Sequence, residues 1–404
     1  MKSLLSDKKT YLLIAGNIIS NIGSGITMIA IPWLLIQREN GEQVYGYATL
    51  SLSSLMVILL PLSGRLIDRF SRKKVLITIE SIGFLLTLMI AIWEGTREEP
   101  QLITLLLLYG IGGISFNLHF PARNAFVQEI FNKKHYPQIN GMLEVQGQIA
   151  FMLAGGIGGF LLENLLLSEI LLIDTATFGL SILLFYLIPY SFKRKEINSL
   201  VKHTENKNTS WQFILQQPKI VAFFTLSLLP FTITMVGNFL TPIHLSKSLQ
   251  AGVQIFSLTE TFWAVGSVIA GLTIPFLIKR TTAVKVIIWG IFFYTLSLFL
   301  IGNTYIIMLF LGIEVLMGWS NAAIRVARNT ALMEYIPNQH IGQISSYIMA
   351  FAKIFQVLLL LFLTTYINRF STHFAYQILF LLAFMILSYC LYQRRSIFTN
   401  SPQK

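Results

Sequence analysis

Charged residues are scarce in this chain. Only 12% of its 404 residues are Asp, Glu, Lys or Arg, whereas soluble domains typically carry about 25%. Apolar residues make up 54% of the chain, and the mean hydropathy is +0.66. A chain with so few charges lacks the polar surface that a soluble protein of this length needs. The composition therefore excludes a soluble globular fold.

Cysteine is almost absent, and several catalytic signatures are missing. The single cysteine, Cys390, excludes a disulfide framework within the chain. The sequence contains no GxxxxGK[ST] phosphate-binding loop, no HExxH pair and no GxSxG motif. We therefore expect no ATP hydrolysis on this chain, no enzyme activity, no metal and no cofactor.

Long apolar runs are abundant instead. Transmembrane helices need about 20 apolar residues each, and only structures that satisfy their own backbone hydrogen bonds are stable in lipid. The sequence predicts twelve spanning helices, six in each half. They cover residues 11–36, 45–67, 75–93, 101–122, 139–162, 170–189, 219–243, 253–278, 284–301, 304–327, 341–366 and 373–392.

The net charge of +12 has a topological explanation. If the N-terminus is cytoplasmic, most Lys and Arg residues fall on the cytoplasmic side, as the positive-inside rule requires. Only four fall on the outer side: Arg38, Arg97, Lys247 and Arg369. This distribution predicts that both termini are cytoplasmic and argues against nucleic-acid binding. The first span is long and lacks a cleavage motif, so we expect no cleavable signal peptide.

Two segments 205 residues apart are nearly the same. Ala122–Glu129 reads ARNAFVQE, and Ala327–Glu334 reads ARNTALME. A repeat at half the chain length in an apolar chain is typical of transporters built from two like halves. A polar, Lys-rich stretch separates the halves. We therefore predict an N-terminal bundle at 1–189, a cytoplasmic linker at 190–218 and a C-terminal bundle at 219–404.

The loop between the second and third spans carries a family signature. Its sequence over Gly64–Lys74 is GRLIDRFSRKK. This resembles the loop G-x-L-x-D-R-x-G-R-[RK]-[RK] of the major facilitator superfamily, with Ser71 in place of the second glycine. The resemblance covers essentially the whole chain. It implies twelve helices in two pseudo-symmetric six-helix bundles, working by alternating access.

The same loop implies a latch at the cytoplasmic face. Asp68 at the membrane surface can face the N-terminus of another helix, where the helix dipole favours an anion. By resemblance, that helix is span eleven, and Arg72 bridges Asp68 to Glu129. The predicted latch comprises Gly64, Asp68, Arg69, Arg72 and Glu129. The alternative is a solvated basic loop that serves only topology.

Two further motifs resemble those of exporters in the superfamily. Ala154–Gly159 in span five is similar to the glycine-rich motif of proton-coupled exporters, although it lacks their proline. Small residues there would let the helix pack closely against a partner and seal the resting pathway. The segment Pro121–Arg123, followed by Glu129, resembles the macrolide-efflux and siderophore-exporter branches.

Ionisable groups inside spanning helices are the candidate coupling sites. Each costs roughly 2.5–3.5 kcal/mol on insertion scales, so it marks function by default. Glu314 in span ten is our first candidate for proton coupling and Glu144 in span five the second. The rival interpretation is a static Glu314–Lys353 ion pair. Glu80 and Asp174 lie near helix ends at the expected periphery, where packing or capping roles are favoured.

Other polar residues are candidates for lining a substrate cavity. Arg123 and Arg328 occupy equivalent repeat positions, and with Arg325 they would favour an anionic substrate. If Arg123 pairs with Glu144 or Glu129, these arginines are structural. Asn17, Asn21 and Ser24 form a polar stripe at helical spacing in the first span, predicted to line the cavity or else to bond between helices. The predicted cavity residues are Asn17, Asn21, His119, Arg123, Asn238, Trp263, Asn321, Arg325, Arg328 and Lys353.

These features favour a proton-coupled exporter of a small organic molecule such as a drug, an antibiotic or a siderophore-like compound. We expect a monomer in the lipid bilayer of a bacterial inner or plasma membrane. Two alternatives are open: a symporter or facilitator for a lysophospholipid or nutrient, and a membrane sensor that binds without transporting.

Overall fold

The computed structural model describes residues 7–95, 97, 99–132, 136–190, 213–336, 338–369 and 371–398. Side chains within these ranges are described except at 60–69, 136–138, 140, 141, 144, 333, 338–343, 346 and 394–398. No strand occurs in this part of the chain, and most of it is helical. The all-α prediction is confirmed.

Six helices form the first half of the described chain, and they match the six predicted spans in order. They are α1 (Lys8–Ile36), α2 (Gly41–Arg69), α3 (Arg72–Glu94), α4 (Leu102–Ile130), α5 (Tyr136–Asn164) and α6 (Leu167–Tyr186). The main difference is the end of α4, which continues past the predicted end at residue 122. Hydropathy detects the part of a helix that lies in lipid, whereas the backbone hydrogen bonds of α4 continue into the polar segment that follows.

In the second half of the described chain, a short helical stretch at 213–216 precedes seven further α-helices and one π-helical turn. They are α7 (Pro218–Leu226), α8 (Leu229–Ile243), the π-helical turn His244–Ser248, α9 (Val253–Arg280), α10 (Ala283–Ile301), α11 (Ile307–Tyr335), α12 (Asn338–Tyr366) and α13 (Thr372–Phe398). α9 to α13 correspond to predicted spans eight to twelve. α7, α8 and the π-helical turn together correspond to span seven.

The sequence predicts the seventh span as one helix, and the structure divides it. Pro230 lies at the start of α8, where its missing N–H removes a hydrogen bond to the preceding turn. The Leu228 N–H donates to the Thr225 carbonyl, 3.2 Å away, so the hydrogen bond here joins residues three apart instead of four. The proline therefore accounts for the break between α7 and α8.

Within the described residues, eleven segments are helical, long and apolar enough to cross a membrane. α2, which matches the remaining predicted span, is a helix of 29 residues. The internal repeat also has a structural counterpart. α4 and α11 are both 29 residues long, and the repeated octapeptide begins at the twenty-first residue of each.

The chain forms two compact units. The first comprises Met1–Phe192 with Leu245–Ala264, and the second comprises Lys193–His244 with Val265–Lys404. In the first unit, α1 packs against α5 and α6, and α3 packs against α4 and α6. In the second unit, α10 packs against α11 and α13. Most of the predicted linker at 190–218 lies outside the described residues, and the predicted domain boundaries stay a prediction.

Ser71, which replaces the second glycine of the family loop, begins α3. Its backbone is non-helical, and its hydroxyl accepts a hydrogen bond from the Lys74 N–H at 3.5 Å. Serine is a favoured N-cap because its side chain satisfies a backbone donor that the first turn leaves free. Serine in place of the family's second glycine therefore caps α3, at the cost of the backbone flexibility that glycine would have here.

Candidate functional site

Glu314 is a buried carboxylate in α11. It lies seven residues after the first residue of the helix, which is about 10 Å along the axis. Its exposure is only 5%. The carboxylate acts electrostatically on the hydroxyls of Tyr294 and Tyr376, which are both fully buried. The sequence predicts a position near mid-membrane; α11 begins at Ile307, and Glu314 lies in the first half of the helix.

A hydroxyl and amide network surrounds the same region of the second unit. Asn321 Nδ2 donates to Thr234 Oγ1 at 2.9 Å, and Thr234 Oγ1 lies 2.9 Å from the hydroxyl oxygen of Tyr294. The hydroxyl oxygen of Tyr376 lies 3.1 Å from Thr241 Oγ1. These groups connect α8, α10, α11 and α13 through polar contacts in an apolar interior.

Lys353 on α12 is half-buried. Its Nζ donates to Oε1 of Gln356, on the same helix, at 2.9 Å. The alternative interpretation of Glu314 requires an ion pair with Lys353. The ammonium has a neutral partner one turn away on its own helix, and the roles of Glu314 and Lys353 stay predictions.

The predicted basic residues lie on the two repeat-related helices. Arg123 on α4 is buried, and its guanidinium carbon lies 5.0 Å from the centre of the Phe120 ring. Arg328 on α11 is half-buried and donates through Nη2 to Asn329 Oδ1 at 3.4 Å. Arg325, one turn earlier on α11, is also half-buried. Whether these groups face a substrate stays a prediction.

The predicted polar stripe of α1 is directed partly into the bundle. Asn17 is fully buried and donates through Nδ2 to the Leu13 carbonyl at 2.7 Å. Ser24 lies 3.4 Å from Asp174 Oδ1 on α6. Asn21 is half-buried. Helix-to-helix contacts therefore occupy part of a stripe that the sequence predicts as cavity lining.

The remaining predicted cavity residues differ in exposure. Asn238 on α8 is exposed, Trp263 on α9 is half-buried, and Asn321 on α11 is buried. Their predicted role in substrate binding is not decided by these positions, and it stays a prediction.

The predicted cytoplasmic latch is described in part. Arg72 Nη1 lies 4.0 Å from Glu129 Oε1, and the Tyr190 hydroxyl donates to Glu129 Oε2 at 2.7 Å. Sequence reasoning missed Tyr190, which follows α6 and carries no family signature. The side chains of Asp68 and Arg69, the surroundings of Gly64, and the side chain of the second coupling candidate, Glu144, lie outside the described residues.

The glycine-rich segment of α5 packs against the first turns of α9 within the first unit. The Ser257 hydroxyl donates to the Gly155 carbonyl and accepts from the Gly159 N–H at 2.8 Å. A Cβ atom at Gly159 would come within 2.6 Å of the Gln254 Cα. Glycine is therefore required for this close approach. The segment is a close-packing face, as the sequence predicts.

One buried cluster was not found by sequence reasoning. Glu80 on α3, expected in a packing or capping role at the periphery, is buried to 1% exposure. It accepts hydrogen bonds from Ser20, and Nε2 of His119 lies 3.1 Å from its Oε1. The one sequence signal was the helical spacing of hydroxyls at Ser20, Ser24 and Thr27 on α1. Within the described residues, no group of three or more His, Cys, Asp and Glu side chains could hold a metal ion.

Several curated relatives of this chain are named as multidrug-resistance or efflux proteins. Multidrug resistance protein 1 of Bacillus subtilis is 26% identical over 152 residues, 38% of each chain. Multidrug efflux pump Tap of Mycobacterium tuberculosis is 24% identical over 180 residues, 43% of this chain and 42% of the relative. The chain thus spans about two fifths of the length of these two relatives. Macrolide efflux protein A of Streptococcus pyogenes is 23% identical over 296 residues, 73% of each.

Solved transporter structures share the fold. The nucleoside transporter NupG has a TM-score of 0.71 at 15% identity, covering 96% of this chain and all of that one. A bacterial homologue of the iron transporter ferroportin, in an inward-facing state, has a TM-score of 0.70 at 16% identity, covering 95% of this chain and 98% of that one. At such low identity, these similarities show the fold alone.

The family is shown by the sequence. A family model for the Major Facilitator Superfamily matches residues 13–271, more than half of the chain. The helical order, the repeat in α4 and α11 and the loop before α3 agree with that match. This chain is a multi-pass membrane protein that belongs to the Major Facilitator Superfamily.

Proposed function

We propose that this protein is a secondary active transporter that exports a small organic molecule in exchange for protons. Its membership of the superfamily and its efflux-named relatives support export of an organic cargo. The observation that carries the proton exchange is the burial of Glu314 within α11. A carboxyl group at such a position is costly for the fold, which favours a role that needs it.

Glu314 would couple transport through its charge. When it holds a proton the site is neutral, and when it releases the proton the site carries one negative charge in an apolar interior. Because burying a charge is costly, the protonated and the ionised forms favour different packing of the surrounding helices or different polar contacts. The buried tyrosines Tyr294 and Tyr376 of the same unit bond to Thr234 and Thr241, so the surroundings of Glu314 contain other polar groups. Glu144 is the second candidate for this role.

The cargo would meet the basic residues of the two repeat-related helices. Arg123 and Arg328 occupy equivalent positions in α4 and α11, and each is a guanidinium that could bind the carboxylate of a substrate. We propose that the other predicted cavity residues contribute hydrogen bonds and aromatic surface around it. They are Asn17, Asn21, His119, Asn238, Trp263, Asn321, Arg325 and Lys353.

Two contact regions would control access. At one end, Arg72, Glu129 and Tyr190 form the described part of the proposed latch. At the other end, α5 packs closely on α9 through Gly155 and Gly159. We propose that these contacts break and re-form in turn as the cargo site changes its access. We also propose a monomer in a bacterial plasma membrane, with both termini in the cytoplasm.

Transport in proteoliposomes under an imposed pH gradient tests this proposal. The probes are labelled ethidium, erythromycin and an iron-loaded siderophore. For at least one probe, we expect movement opposite to the proton flow, and at least about a tenfold loss in Glu314→Gln. Glu99→Gln is the matched control, because it makes the same change at an exposed loop residue that pairs with Arg38.

The alternatives give different results in the same experiment. Movement of a probe with the protons would make the protein a symporter and overturn the export proposal. Binding of a probe without movement, in wild type as well as in Glu314→Gln, would favour a sensor. Unchanged proton-driven transport in Glu314→Gln would remove Glu314 from the coupling role.

A further inference from the structure

Three side chains from three helices meet inside the first unit. The Ser20 hydroxyl on α1 lies 3.1 Å from Oε1 and 3.0 Å from Oε2 of Glu80 on α3. His119 on α4 brings Nε2 to 3.1 Å from the same Oε1. Glu80 is almost completely buried, whereas the His119 side chain keeps 12% of its surface exposed. The carboxylate is therefore enclosed, and the imidazole is the most exposed member of the cluster.

The charges of this cluster favour the binding of one proton. With a neutral imidazole, an ionised Glu80 leaves one net negative charge away from water. With an imidazolium, the net charge of the pair is zero and the 3.1 Å contact becomes an ion pair. Histidine is also the side chain that gains and loses a proton near neutral pH. A static packing role would be met by two neutral side chains at lower cost.

A second buried acid lies along the same face of α1. Asp174 on α6 accepts a hydrogen bond from Thr27 Oγ1 at 2.7 Å, and Ser24 Oγ lies 3.4 Å from its other oxygen. Ser20, Ser24 and Thr27 have helical i, i+4, i+7 spacing, so they follow one stripe about 10 Å long. Hydroxyls both donate and accept hydrogen bonds, and this stripe runs from Asp174 to Glu80.

Few other charges lie on the helices that surround this stripe. α1 has no charged side chain after Lys9. On α4, Arg123 follows His119 by one turn, and its guanidinium lies over the Phe120 ring. The second acid of α3, Glu94, is buried 14 residues further along that helix, about 21 Å away. On α5, the Glu144 side chain lies outside the described residues. Glu80, His119 and Asp174 are therefore the titratable groups that we assign to this site.

We propose that Ser20, Glu80 and His119 form a proton-binding site within the first unit, with Asp174 as a second acid connected to it through the hydroxyls of α1. This proposal rests on proton exchange as the proposed function and adds a site that is separate from Glu314. Protons would enter and leave through His119, and Glu80 would stabilise the charged imidazole. Ser20 would hold the Glu80 carboxylate in place for this contact.

Proton binding is tested first, without transport. Purified full-length protein carries isotope-labelled histidine, and NMR follows the ring signals from about pH 5 to about pH 9. The chain has six histidines, and His119→Gln identifies the signal of His119. We expect this signal to respond to pH in wild type and to respond differently in Glu80→Gln, since the carboxylate beside the ring is lost. Glu99→Gln should leave the response unchanged.

Transport is then measured in the same preparations with the ethidium and erythromycin probes. Glu80→Gln and His119→Gln should each lose at least about tenfold of the proton-driven accumulation, and Glu80→Gln should keep probe exchange without a pH gradient. Glu80→Asp, which keeps the charge, should restore the His119 titration and part of the accumulation. This variant separates a loss of charge from a loss of folding.

The two measurements separate the two proposals. A His119 signal that does not respond to pH, or a response that is the same in Glu80→Gln, overturns the proton-binding site. Full proton-driven accumulation in both Glu80→Gln and His119→Gln overturns it as well. If wild type moves no probe against the proton gradient while His119 titrates as expected, the proposed export function fails and the proton-binding site stands.

Discussion

Tyr190 shows how one hydroxyl determines the surroundings of Glu129. It follows α6 in the chain and donates to Glu129 Oε2 at 2.7 Å, while Arg72 lies 4.0 Å from the other oxygen. Burial and the bond to the Glu129 carboxylate raise the pKa of Tyr190 to about 12. The hydroxyl is therefore protonated, and able to donate, throughout the physiological range.

Tyr190→Phe should lower the free energy of unfolding of the purified protein by about 1–2 kcal/mol, because Glu129 loses a hydrogen-bond donor. The effect stays in this range because the Tyr190–Glu129 hydrogen bond is only partly buried. The folded-state pKa lies above the unfolded value of about 10. The contribution of the hydroxyl is thus complete below pH 10 and is lost only as the pH rises toward 12. Melting curves should show the same difference between wild type and variant at every pH from about 6 to about 9.

The control for this measurement is Tyr392→Phe, which makes the same change at a largely exposed tyrosine of α13. We expect no change in its melting temperature. If the Tyr190→Phe difference disappeared as the pH rose through this range, the assigned donor role of Tyr190 would be wrong.

Among single residues, the sequence predicts which acidic side chains lie within apolar helices but not which residues they contact. Glu314 is predicted from a charge within an apolar run, and it is buried. Glu80 belongs to an equally apolar helix, yet its proximity to the helix end favours a peripheral role. Its partners are 60 residues earlier and 39 residues later in the chain. Such pairings depend on how three helices are rotated about their axes, which hydropathy does not report.

Among the elements, α5 contains the clearest division between close-packed and open glycines. Gly155 and Gly159 are buried against α9, where Ser257 bonds to the backbone of both. Gly156, one residue along, is exposed, and a methyl group added there would have no neighbour within 4 Å. One helix therefore carries a close-packing face and, beside it, a position with room for a side chain.

Gly159→Ala should destabilise the protein by about 1–3 kcal/mol, because the added methyl group would lie 2.6 Å from the Gln254 Cα and the helices must separate. Gly156→Ala is the matched control. It should be neutral or stabilising by up to about 1 kcal/mol, since alanine favours a helix and meets no neighbour. Thermal denaturation of the two variants makes the comparison. Equal stability of both variants would contradict close packing of α5 on α9.

At the scale of the whole molecule, the distribution of charge predicts the direction of the chain through the membrane. Arg97 lies between α3 and α4, and Lys279 lies at the end of α9; both are exposed. The positive-inside rule assigns Arg97 to the outer side and Lys279 to the cytoplasm. The lone Cys390 is buried, so it contributes little background to thiol labelling.

Cysteine labelling in intact cells tests this topology. In a Cys390→Ala background, Arg97→Cys should react with a membrane-impermeant maleimide added outside. Lys279→Cys should react only after the cells are made permeable. The reverse pattern would place the termini outside the cell and invert the proposed topology. Labelling of both positions in denaturant confirms that each variant is present.

The sequence by itself determined the class of this protein, the order of its helices, its repeat and its family. These properties depend on local hydropathy and on short motifs, which can be read without knowing which helices touch. The tertiary structure alone decided the contact of Tyr190 with Glu129 and the meeting of Ser20, Glu80 and His119. Such contacts join residues far apart in the chain, because the rotation and packing of whole helices determine which polar side chains meet away from water.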